Sequence, residues 1–329
     1  MERAAWYNVR VQTPSPQPDI TICILSWNAK GYLERCLNSL FHPEELDVQE
    51  ALERAGLAGE QEPAEAATLD VLVVDNGSID YSADMVEARF PEARLIRTHR
   101  NLGFAGGNNV GYRASAGRYF LLLNSDTVVP RGAITRLVRF ADATPEAAFV
   151  GPKVVNPDGS LQYSCRRFPN LRAALLRNTP LARFARNSTA VRDYLMTDWC
   201  HDTPREVDWL SGCCLLVRRE AAEQIGLLDE EYFMYCEDMD WCFRAREAGW
   251  QSVYFPAAKL VHEVGKSSDK LPRRMIAYHH LSMYKFYRKH YGARAAWPVR
   301  AAVAGGLAAR AAATIISTHW MRLRARWQR

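Results

Sequence analysis

Residues 71–78 read Val-Leu-Val-Val-Asp-Asn-Gly-Ser, an apolar run that ends in a carboxylate and turn-forming residues. A run of this kind predicts a buried strand that ends at the edge of a sheet. Similar runs stand at 19–25, 95–96 and 119–123, and a helical pattern accompanies them. Four strand–helix steps with nearly continuous apolar strands predict a parallel sheet covered on both faces.

Polar side chains stand where these predicted strands end. In open α/β sheets, ligands bind at the carboxyl ends of the strands, which is where Asp75, Asn101 and Asp126 fall. Asp75 is suited to a nucleotide base or ribose, and the alternative is an Asx turn. Asp126 is suited to a divalent cation, and the alternative is a cap on the turn before the next helix.

A glycine-rich turn opens a predicted helix at 101–109, which reads Asn-Leu-Gly-Phe-Ala-Gly-Gly-Asn-Asn. Free backbone N–H groups at such a helix start suit a diphosphate. The turn has neither the G-x-G-x-x-G spacing nor the G-x-x-x-x-G-K-[ST] loop, so nicotinamide and P-loop functions lose support.

Three carboxylates lie within four residues in Glu237-Asp-Met-Asp240, at the start of a helix predicted over 238–248. Their mutual repulsion raises at least one pKa and suits a general base, whereas the alternative is acidic charge that favours a helix N-terminus. His262 follows a strand-like run and is either a ligand for a metal or phosphate or a structural histidine.

The second half of the chain predicts shorter strands, at 161–166, 213–217 and 252–255, in a mixed arrangement. Residues 166–192 hold seven arginines and no acid, which predicts a loop that faces an anion. Residues 43–68 are rich in acids and alanine and predict an exposed helical insertion without chemistry.

Composition places the chain among ordinary globular proteins. Its 329 residues are 48% hydrophobic and 24% charged, which excludes disordered, collagen-like and disulfide-scaffold classes. The eight cysteines form no C-x-x-C pair and are expected to be reduced core thiols. The polar, proline-rich residues 1–18 do not resemble a secretory signal, so a cytosolic location is expected.

The C-terminal residues 270–329 hold 13 Lys and Arg and no acid, although the net charge of the whole chain is only +5. Such a basic tail predicts an anionic partner such as a membrane surface. Ile316, Trp320, Leu323 and Trp327 share one helical face, a pattern typical of a helix that lies in the membrane interface. A membrane span and a helix packed on the rest of the protein are the alternatives.

Taken in order, these segments resemble family 2 glycosyltransferases of the GT-A fold, in particular the bacterial rhamnosyltransferase-like branch. The resemblance spans residues 20–291. It rests on motifs at 24–28, 73–78, 101–109, 122–126, 208–212, 235–240 and 262–265. One position departs from the family pattern, because the D-x-D motif reads Asn124-Ser-Asp126 and keeps a single charged ligand.

The resemblance implies an α/β GT-A fold, in which a Rossmann-like nucleotide-binding half with a mainly parallel sheet is fused to a mixed acceptor-binding half. Basic amphipathic helices follow at the C-terminus. The expected divisions are an N-terminal extension (1–18), a catalytic domain (19–268) and a membrane-associating helical region (269–329). The catalytic domain would comprise a nucleotide-sugar half (19–130, with the insertion at 43–68) and an acceptor half (131–268).

The resemblance also implies roles for individual residues. Asp238 would be the catalytic base, supported by Glu237 and Asp240, while Asp126 and His262 would hold Mg²⁺ or Mn²⁺. The residues expected to bind the donor are Ser26, Asn28, Asp75, Asn101, Gly103, Asn108 and Asn124. Those expected to bind the acceptor are Arg166, Arg167, Trp209 and Gly212. For the two arginines, the alternative is a solvated basic loop.

The implied activity is inverting transfer of L-rhamnose from dTDP-rhamnose to a lipid-linked, polyprenyl diphosphate glycan in cell-envelope polysaccharide synthesis. A UDP-sugar donor, carrying galactofuranose or N-acetylglucosamine, is the alternative, and a non-catalytic nucleotide-sugar-binding protein is a further one. A sugar nucleotidyltransferase loses support because residues 26–30 lack the expected G-x-G-x-R loop. No nucleic-acid partner is expected, since the tail has no such motif. The expected location is the cytoplasmic face of the plasma membrane, with peripheral attachment.

Overall fold

The computed structural model describes residues 7–9, 17–169, 189–263 and 272–327. The strands are β1 (Tyr7–Val9), β2 (Ile20–Ser26), β3 (Leu69–Asp75), β4 (Arg94–Thr98), β5 (Tyr119–Asn124), β6 (Thr127–Val128), β7 (Ala147–Val155), β8 (Leu161–Gln162), β9 (Cys165–Arg166), β10 (Arg205–Val207), β11 (Trp209–Leu210), β12 (Cys214–Arg218) and β13 (Gln251–His262). The helices are α1 (Lys30–Phe41), α2 (Leu46–Arg54), α3 (Ser82–Arg89), α4 (Gly103–Arg113), α5 (Ala133–Asp142), α6 (Thr189–Leu195), α7 (Arg219–Ile225), α8 (Glu237–Glu247), α9 (Pro272–His290) and α10 (Trp297–Trp327), with a 3₁₀ turn at Gly292–Arg294.

The four strands predicted in the first half form the parallel part of the main sheet. β4, β3, β2 and β5 lie side by side in that order, and each pair is parallel. Alternate side chains of β2 enter opposite cores: Ile22 and Ile24 pack with α1, α3 and α5, whereas Cys23 packs on the side of α4. The predicted parallel sheet covered on both faces is therefore confirmed.

The second half is mixed, as predicted. β12 is antiparallel to β5 and to β7, and β13 is parallel to β7, so the sheet continues as β5-β12-β7-β13-β10. The single strand predicted over 161–166 is wrong, because β8 pairs with β7 whereas β9 pairs with β11 in a separate small sheet. The strand predicted over 252–255 is part of the much longer β13.

The acidic insertion is only partly exposed, which corrects the prediction. Its helix, α2, buries Val48, Ala51 and Leu52 against Val128 and Val261 of the sheet. The rest of the insertion has no helix between Arg54 and β3. Its acids serve structure, since Glu60 pairs with Arg136 at 2.8 Å and with Lys259 at 3.1 Å.

Two helices, α9 and α10, follow the main sheet in the chain, and they contact each other. α9 buries Phe286 in the core beside α8, whereas the apolar segment Trp297–Thr318 of α10 is not buried. This 22-residue segment is long and apolar enough to cross a membrane. Ile316 and Trp320 of the predicted apolar face are exposed, and the side chains of Leu323 and Trp327 lie outside the described part.

Candidate active site

A cleft of about 520 Å³ opens at the carboxyl ends of β2, β3 and β5. Its walls bring together Trp27 and Asn76 from the ends of β2 and β3, Asp126 after β5, Asp238 from α8 and Arg274 from α9. The sequence predicted that ligands bind at this edge, because parallel strands end there together. Asn101, Gly103, Asn124, Gly212, Glu237 and His262, all predicted site residues, also line the cleft.

Asn76, which the sequence analysis did not single out, holds the glycine-rich turn against β3. Its side-chain oxygen accepts from the backbone N–H of Leu102 at 2.9 Å, and its amide nitrogen donates to the Gly103 carbonyl at 3.1 Å. The same nitrogen donates to Asn101 Oδ1 at 3.2 Å. The Asn101 side chain, predicted to bind the donor, therefore also shapes the turn.

Gly103 has a positive φ of 77°, a conformation that favours glycine. A Cβ atom at this position would lie 2.3 Å from the carbonyl oxygen of Phe233. That close approach lets the backbone N–H of Phe104 donate to the same carbonyl at 2.7 Å. The glycine thus joins the turn to the segment that precedes α8.

Asp75 is 4% exposed and forms the turn that was the alternative to nucleotide binding, while one of its oxygens stays available to a ligand. Its Oδ2 accepts from the Ser78 N–H at 3.3 Å, which is the predicted turn, whereas its Oδ1 is buried without a hydrogen-bond partner. Burial raises the pKa of this carboxyl above its ordinary value. An unpartnered buried acceptor costs stability and is suited to an N–H donor from a ligand.

Asp126 and His262 meet at one side of the cleft, with Asp126 Oδ1 3.1 Å from His262 Nε2. The amide of Gln162 donates to Asn156, so its Oε1 is the atom that receives the Nδ1–H of His262 at 2.6 Å. In the neutral ring, Nε2 then carries the lone pair that faces Asp126. Two lone pairs at this distance are stabilised by a cation between them.

This pair fits a divalent metal. Two ligand atoms at right angles on one octahedral Mg²⁺ lie about 3 Å apart, which matches the separation of the two side chains. The Gln162 contact supplies the outer hydrogen bond that usually orients a ligating histidine. No group of three His, Cys, Asp or Glu residues suited to a metal occurs in the described ranges, so further ligands would come from a substrate or water.

Asp238 lies at the N-terminus of α8, where backbone donors hold its carboxylate. Its Oδ2 accepts from the Gly212 N–H at 2.9 Å, and its Oδ1 lies 2.8 Å from the N–H of Met239. Burial raises its pKa above the ordinary value, although these donors favour the charged form. Gly212, predicted for the acceptor site, therefore orients the predicted base.

Glu237 is 5% exposed, and its Oε2 has no hydrogen-bond partner. Burial, and then the neighbouring charge of Asp238, raise its pKa well above the ordinary range. Two adjacent carboxylates share the N-terminal end of α8, but only Asp238 receives the hydrogen bond from Gly212. The Gly212 N–H therefore favours the ionised form of Asp238 over that of Glu237.

Asp240 is fully buried and is not among the residues that line the cleft. It pairs with Arg244 at 2.9 Å, with Lys289 at 2.8 Å and with His290 at 2.7 Å. Although burial opposes the change, hydrogen bonds from His290 and Lys289 and the charge of Arg244 lower its pKa to about 2. We assign Asp240 a structural role, in which it attaches α9 to α8. It supports Asp238 only indirectly, because both residues lie on α8.

Three residues predicted to bind the donor lie behind the cleft wall. Ser26 is fully buried, Asn28 accepts from the Ile79 N–H at 2.8 Å, and Asn108 donates to the Phe104 carbonyl of its own helix at 2.9 Å. Neither these three nor Asp75 is among the described cleft-lining residues. Their direct contact with a donor stays a prediction, and their observed contacts are structural.

Of the four residues predicted to bind the acceptor, Gly212 lines the cleft, whereas Arg166, Arg167 and Trp209 are not among its described lining residues. Arg166 and Trp209 face each other across the small sheet, with the guanidinium 5.9 Å from the ring centre. The charge of Arg166 favours the ionised form of Asp238. Arg167 instead pairs with Asp208 at 3.7 Å. Most of the arginine-rich stretch, 170–188, lies outside the described residues.

The sequence analysis missed the wall that α9 contributes. Arg274, Met275 and Tyr278 line the cleft from one face of this helix. The ring of Tyr278 lies 4.8 Å from that of Phe233, another cleft residue. Their i, i+1 and i+4 spacing in the sequence indicates that they share one helix face. It does not indicate that this face lines the cleft.

Residues 21–226 match the model of the family described as glycosyl transferase family 2. The chain belongs to this family. This family 2 glycosyltransferase is 36% identical over 255 residues to an N-acetylglucosaminyl-diphospho-decaprenol L-rhamnosyltransferase of Mycobacterium tuberculosis, a match that covers 74% of the chain and 82% of that protein. It is 25% identical over 193 residues to the rhamnosyltransferase WbbL of Escherichia coli K12, covering 56% of the chain and 69% of that protein.

Solved structures support the fold of the glycosyltransferase. The mannosyltransferase PcManGT from Pyrobaculum calidifontis, in complex with GDP-Man and Mn²⁺, aligns with a TM-score of 0.53 at 16% identity, covering 96% of this chain and 84% of that one. GalNAc-T7 with UDP, GalNAc and Mn²⁺ aligns with a TM-score of 0.51 at 12% identity, covering 76% and 44%. The GT-A fold predicted from the sequence is confirmed.

Proposed function

We propose that this glycosyltransferase transfers L-rhamnose from dTDP-rhamnose, with inversion, to a glycan carried on a polyprenyl diphosphate. The relative from M. tuberculosis, whose name specifies that acceptor and sugar, carries the assignment because the match covers 82% of it. The cleft supports the class of chemistry, since one base candidate, Asp238, and one metal-ligand pair, Asp126 and His262, line the same space.

In the proposed reaction, Asp238 accepts the proton of an acceptor hydroxyl while that oxygen attacks the anomeric carbon of the donor. The bond from this carbon to the diphosphate breaks, and the nucleoside diphosphate leaves with the electron pair. The Gly212 N–H fixes the Asp238 carboxylate in position for the proton transfer. A single carboxylate suffices, whereas a glycosidase needs two that flank the bond.

A bound Mg²⁺ or Mn²⁺ neutralises charge on a departing diphosphate, and Asp126 and His262 are the residues that would hold it. Asn124 stands where the D-x-D pattern has a charged ligand, and its amide nitrogen lies 3.2 Å from His262 Nε2, a contact that a metal on the single lone pair of this nitrogen would replace. For the donor base, Asp75 Oδ1 is the unpartnered acceptor at the adjacent strand end.

For the acceptor side, we assign attachment of the enzyme to the cytoplasmic face of the plasma membrane through α10. The support is its unburied apolar segment, together with a tail that contains 13 cations and no acids. Co-sedimentation with anionic phosphatidylglycerol vesicles tests the attachment. Release by high salt indicates a peripheral helix, whereas retention in alkaline carbonate indicates a span, and absence of binding refutes the assignment.

Calorimetric titration with dTDP, UDP and GDP, each with and without Mn²⁺, tests the donor assignment. Mn²⁺-dependent binding with preference for dTDP is the expected result. A preference for UDP would retain the enzyme class and replace rhamnose by a UDP-linked sugar. If no nucleotide binds, the roles of Asp75 and Asp126 are wrong.

A further inference from the structure

We propose that Arg274, at the beginning of α9, binds a diphosphate group of a substrate in the cleft, so that the C-terminal region is part of the active site. The proposal rests on the proposed function for the identity of that ligand. Arg274 is exposed, and it lines the same cleft as Asp126 and Asp238. It lies outside the family-model match, which ends at residue 226.

α9 is fixed at the cleft by contacts along its length. Near its start, Tyr278 packs against Phe233, and one turn further Ser282 Oγ donates to the Met234 carbonyl at 2.8 Å. At its end, His290 and Lys289 pair with the buried Asp240 of α8. Because both ends of the helix are held, Arg274 occupies a defined place on the wall.

The charge of the cleft explains why a cation is needed there. The carboxylates of Asp126 and Asp238 line it, and a diphosphate that enters brings further negative charge. Arg274 is the only Lys or Arg among the cleft-lining residues in the described ranges, and no ion pair occupies it there. A guanidinium matches phosphate oxygens through paired N–H groups.

The two C-terminal helices combine the two chemistries of a polyprenyl diphosphate. α9 presents Arg274 to the cleft, and α10, which contacts α9, presents an unburied apolar segment. A diphosphate carried by a lipid would therefore meet a cation on the helix that α10 contacts. The diphosphate of the nucleotide donor has the same chemistry, and the experiment separates the two sources.

The test uses the full-length protein as Arg274→Gln and Arg274→Lys variants, with Arg273→Gln as the matched control. Arg273 is the exposed neighbour that does not line the cleft. Calorimetry measures the Kd for dTDP and for inorganic pyrophosphate, and steady-state kinetics measure KM for a short-chain N-acetylglucosaminyl-diphosphoprenol. Thermal melts establish that each variant is folded.

Arg274→Gln removes one guanidinium–phosphate contact. We expect the Kd or KM of the ligand that Arg274 binds to rise by about 10- to 100-fold, with partial recovery in Arg274→Lys. An increase confined to the acceptor KM identifies the lipid-linked diphosphate, and an increase in the dTDP Kd identifies the donor. Unchanged values for all three ligands overturn the proposal. If the wild-type protein binds pyrophosphate through Arg274 but transfers no rhamnose, the proposed function fails and this inference stands.

Discussion

The backbone N–H of Gly212 donates to Oδ2 of Asp238 across 2.9 Å. The hydrogen bond joins the loop before β12 to the first turn of α8, so the predicted base is oriented by backbone rather than by a flexible side chain. Asp238→Asn keeps the size of the group and removes its basicity. We expect transfer to fall by about 10³-fold, within the range for loss of a general base, while dTDP affinity is unchanged. Turnover near the wild-type rate would refute the assignment.

Glu237→Gln is the matched variant on the neighbouring residue. Because burial and the charge of Asp238 raise the pKa of Glu237 and favour its neutral form, a neutral amide should change kcat less than about threefold, in contrast to Asp238→Asn. The pKa of Asp238 is raised by burial, so activity should fall with decreasing pH at a value above the ordinary aspartate range. The pH profile of kcat/KM should be the same in Glu237→Gln, and a shift of its acidic limb would show that Glu237 is ionised.

Asn124→Asp creates the D-x-D pattern and adds a charged ligand beside Asp126 and His262. We expect half-maximal activity at a lower Mn²⁺ concentration, because a second carboxylate strengthens binding of a hard cation. Asp126→Asn should have the opposite effect and raise the required Mn²⁺ concentration. Titration of EDTA-treated protein with Mn²⁺ measures both changes, and identical titration curves for all three proteins would contradict the assigned metal site.

Gly103→Ala places a methyl group against the Phe233 carbonyl in a backbone conformation with positive φ. We expect the free energy of unfolding to fall by about 3 kcal/mol and the Tm to fall with it. Gly306→Ala is the control, since nothing lies within 4 Å of that position in α10. This second variant should be neutral or slightly stabilising, because alanine favours a helix. Equal Tm values for both variants would argue against the close approach at Gly103.

Asp240→Asn removes the buried charge that pairs with Arg244, Lys289 and His290. We expect a loss of about 3 kcal/mol at neutral pH, measured by urea unfolding. The pKa of Asp240 is lowered to about 2 in the folded protein, so its contribution is present above the ordinary aspartate pKa and is lost as the pH falls towards 2. The difference in the free energy of unfolding between wild type and variant should therefore shrink as the pH falls from the ordinary aspartate pKa towards 2.

The exposed pair of Arg97 and Glu87 provides the control for this measurement. Glu87→Gln should change the free energy of unfolding by about 0.5 kcal/mol or less, since both partners are well exposed. A comparable loss in Glu87→Gln and Asp240→Asn would show that burial does not distinguish the two ion pairs.

The parallel half and the position of the cleft could be predicted from the sequence. Apolar runs identify the strands, and parallel strands place Asp75, Asn101 and Asp126 at one edge without knowledge of the packing. The order of the motifs predicts the family, and the match of residues 21–226 to the family model confirms it. The fold class and the enzyme class could therefore be predicted from the sequence alone.

The remaining parts depend on long-range contacts that local patterns do not encode. The pattern around Gly103 does not reveal that the turn approaches the Phe233 carbonyl, which lies far along the chain. The attachment of α9 requires Lys289 and His290 to meet Asp240, about 50 residues earlier in the chain. Basic residues in the tail predicted a membrane partner, but not that Arg274 belongs to the cleft.

The most direct test of the central claim is a transfer assay with the purified full-length protein, Mn²⁺ and a short-chain N-acetylglucosaminyl-diphosphoprenol. dTDP-rhamnose, UDP-galactofuranose and UDP-N-acetylglucosamine are supplied separately, and mass spectrometry records the lipid product. We predict a product that gains one deoxyhexose with dTDP-rhamnose alone and that is absent with Asp238→Asn. Transfer from either UDP-sugar but not from dTDP-rhamnose, or an equal yield with Asp238→Asn, would contradict the account.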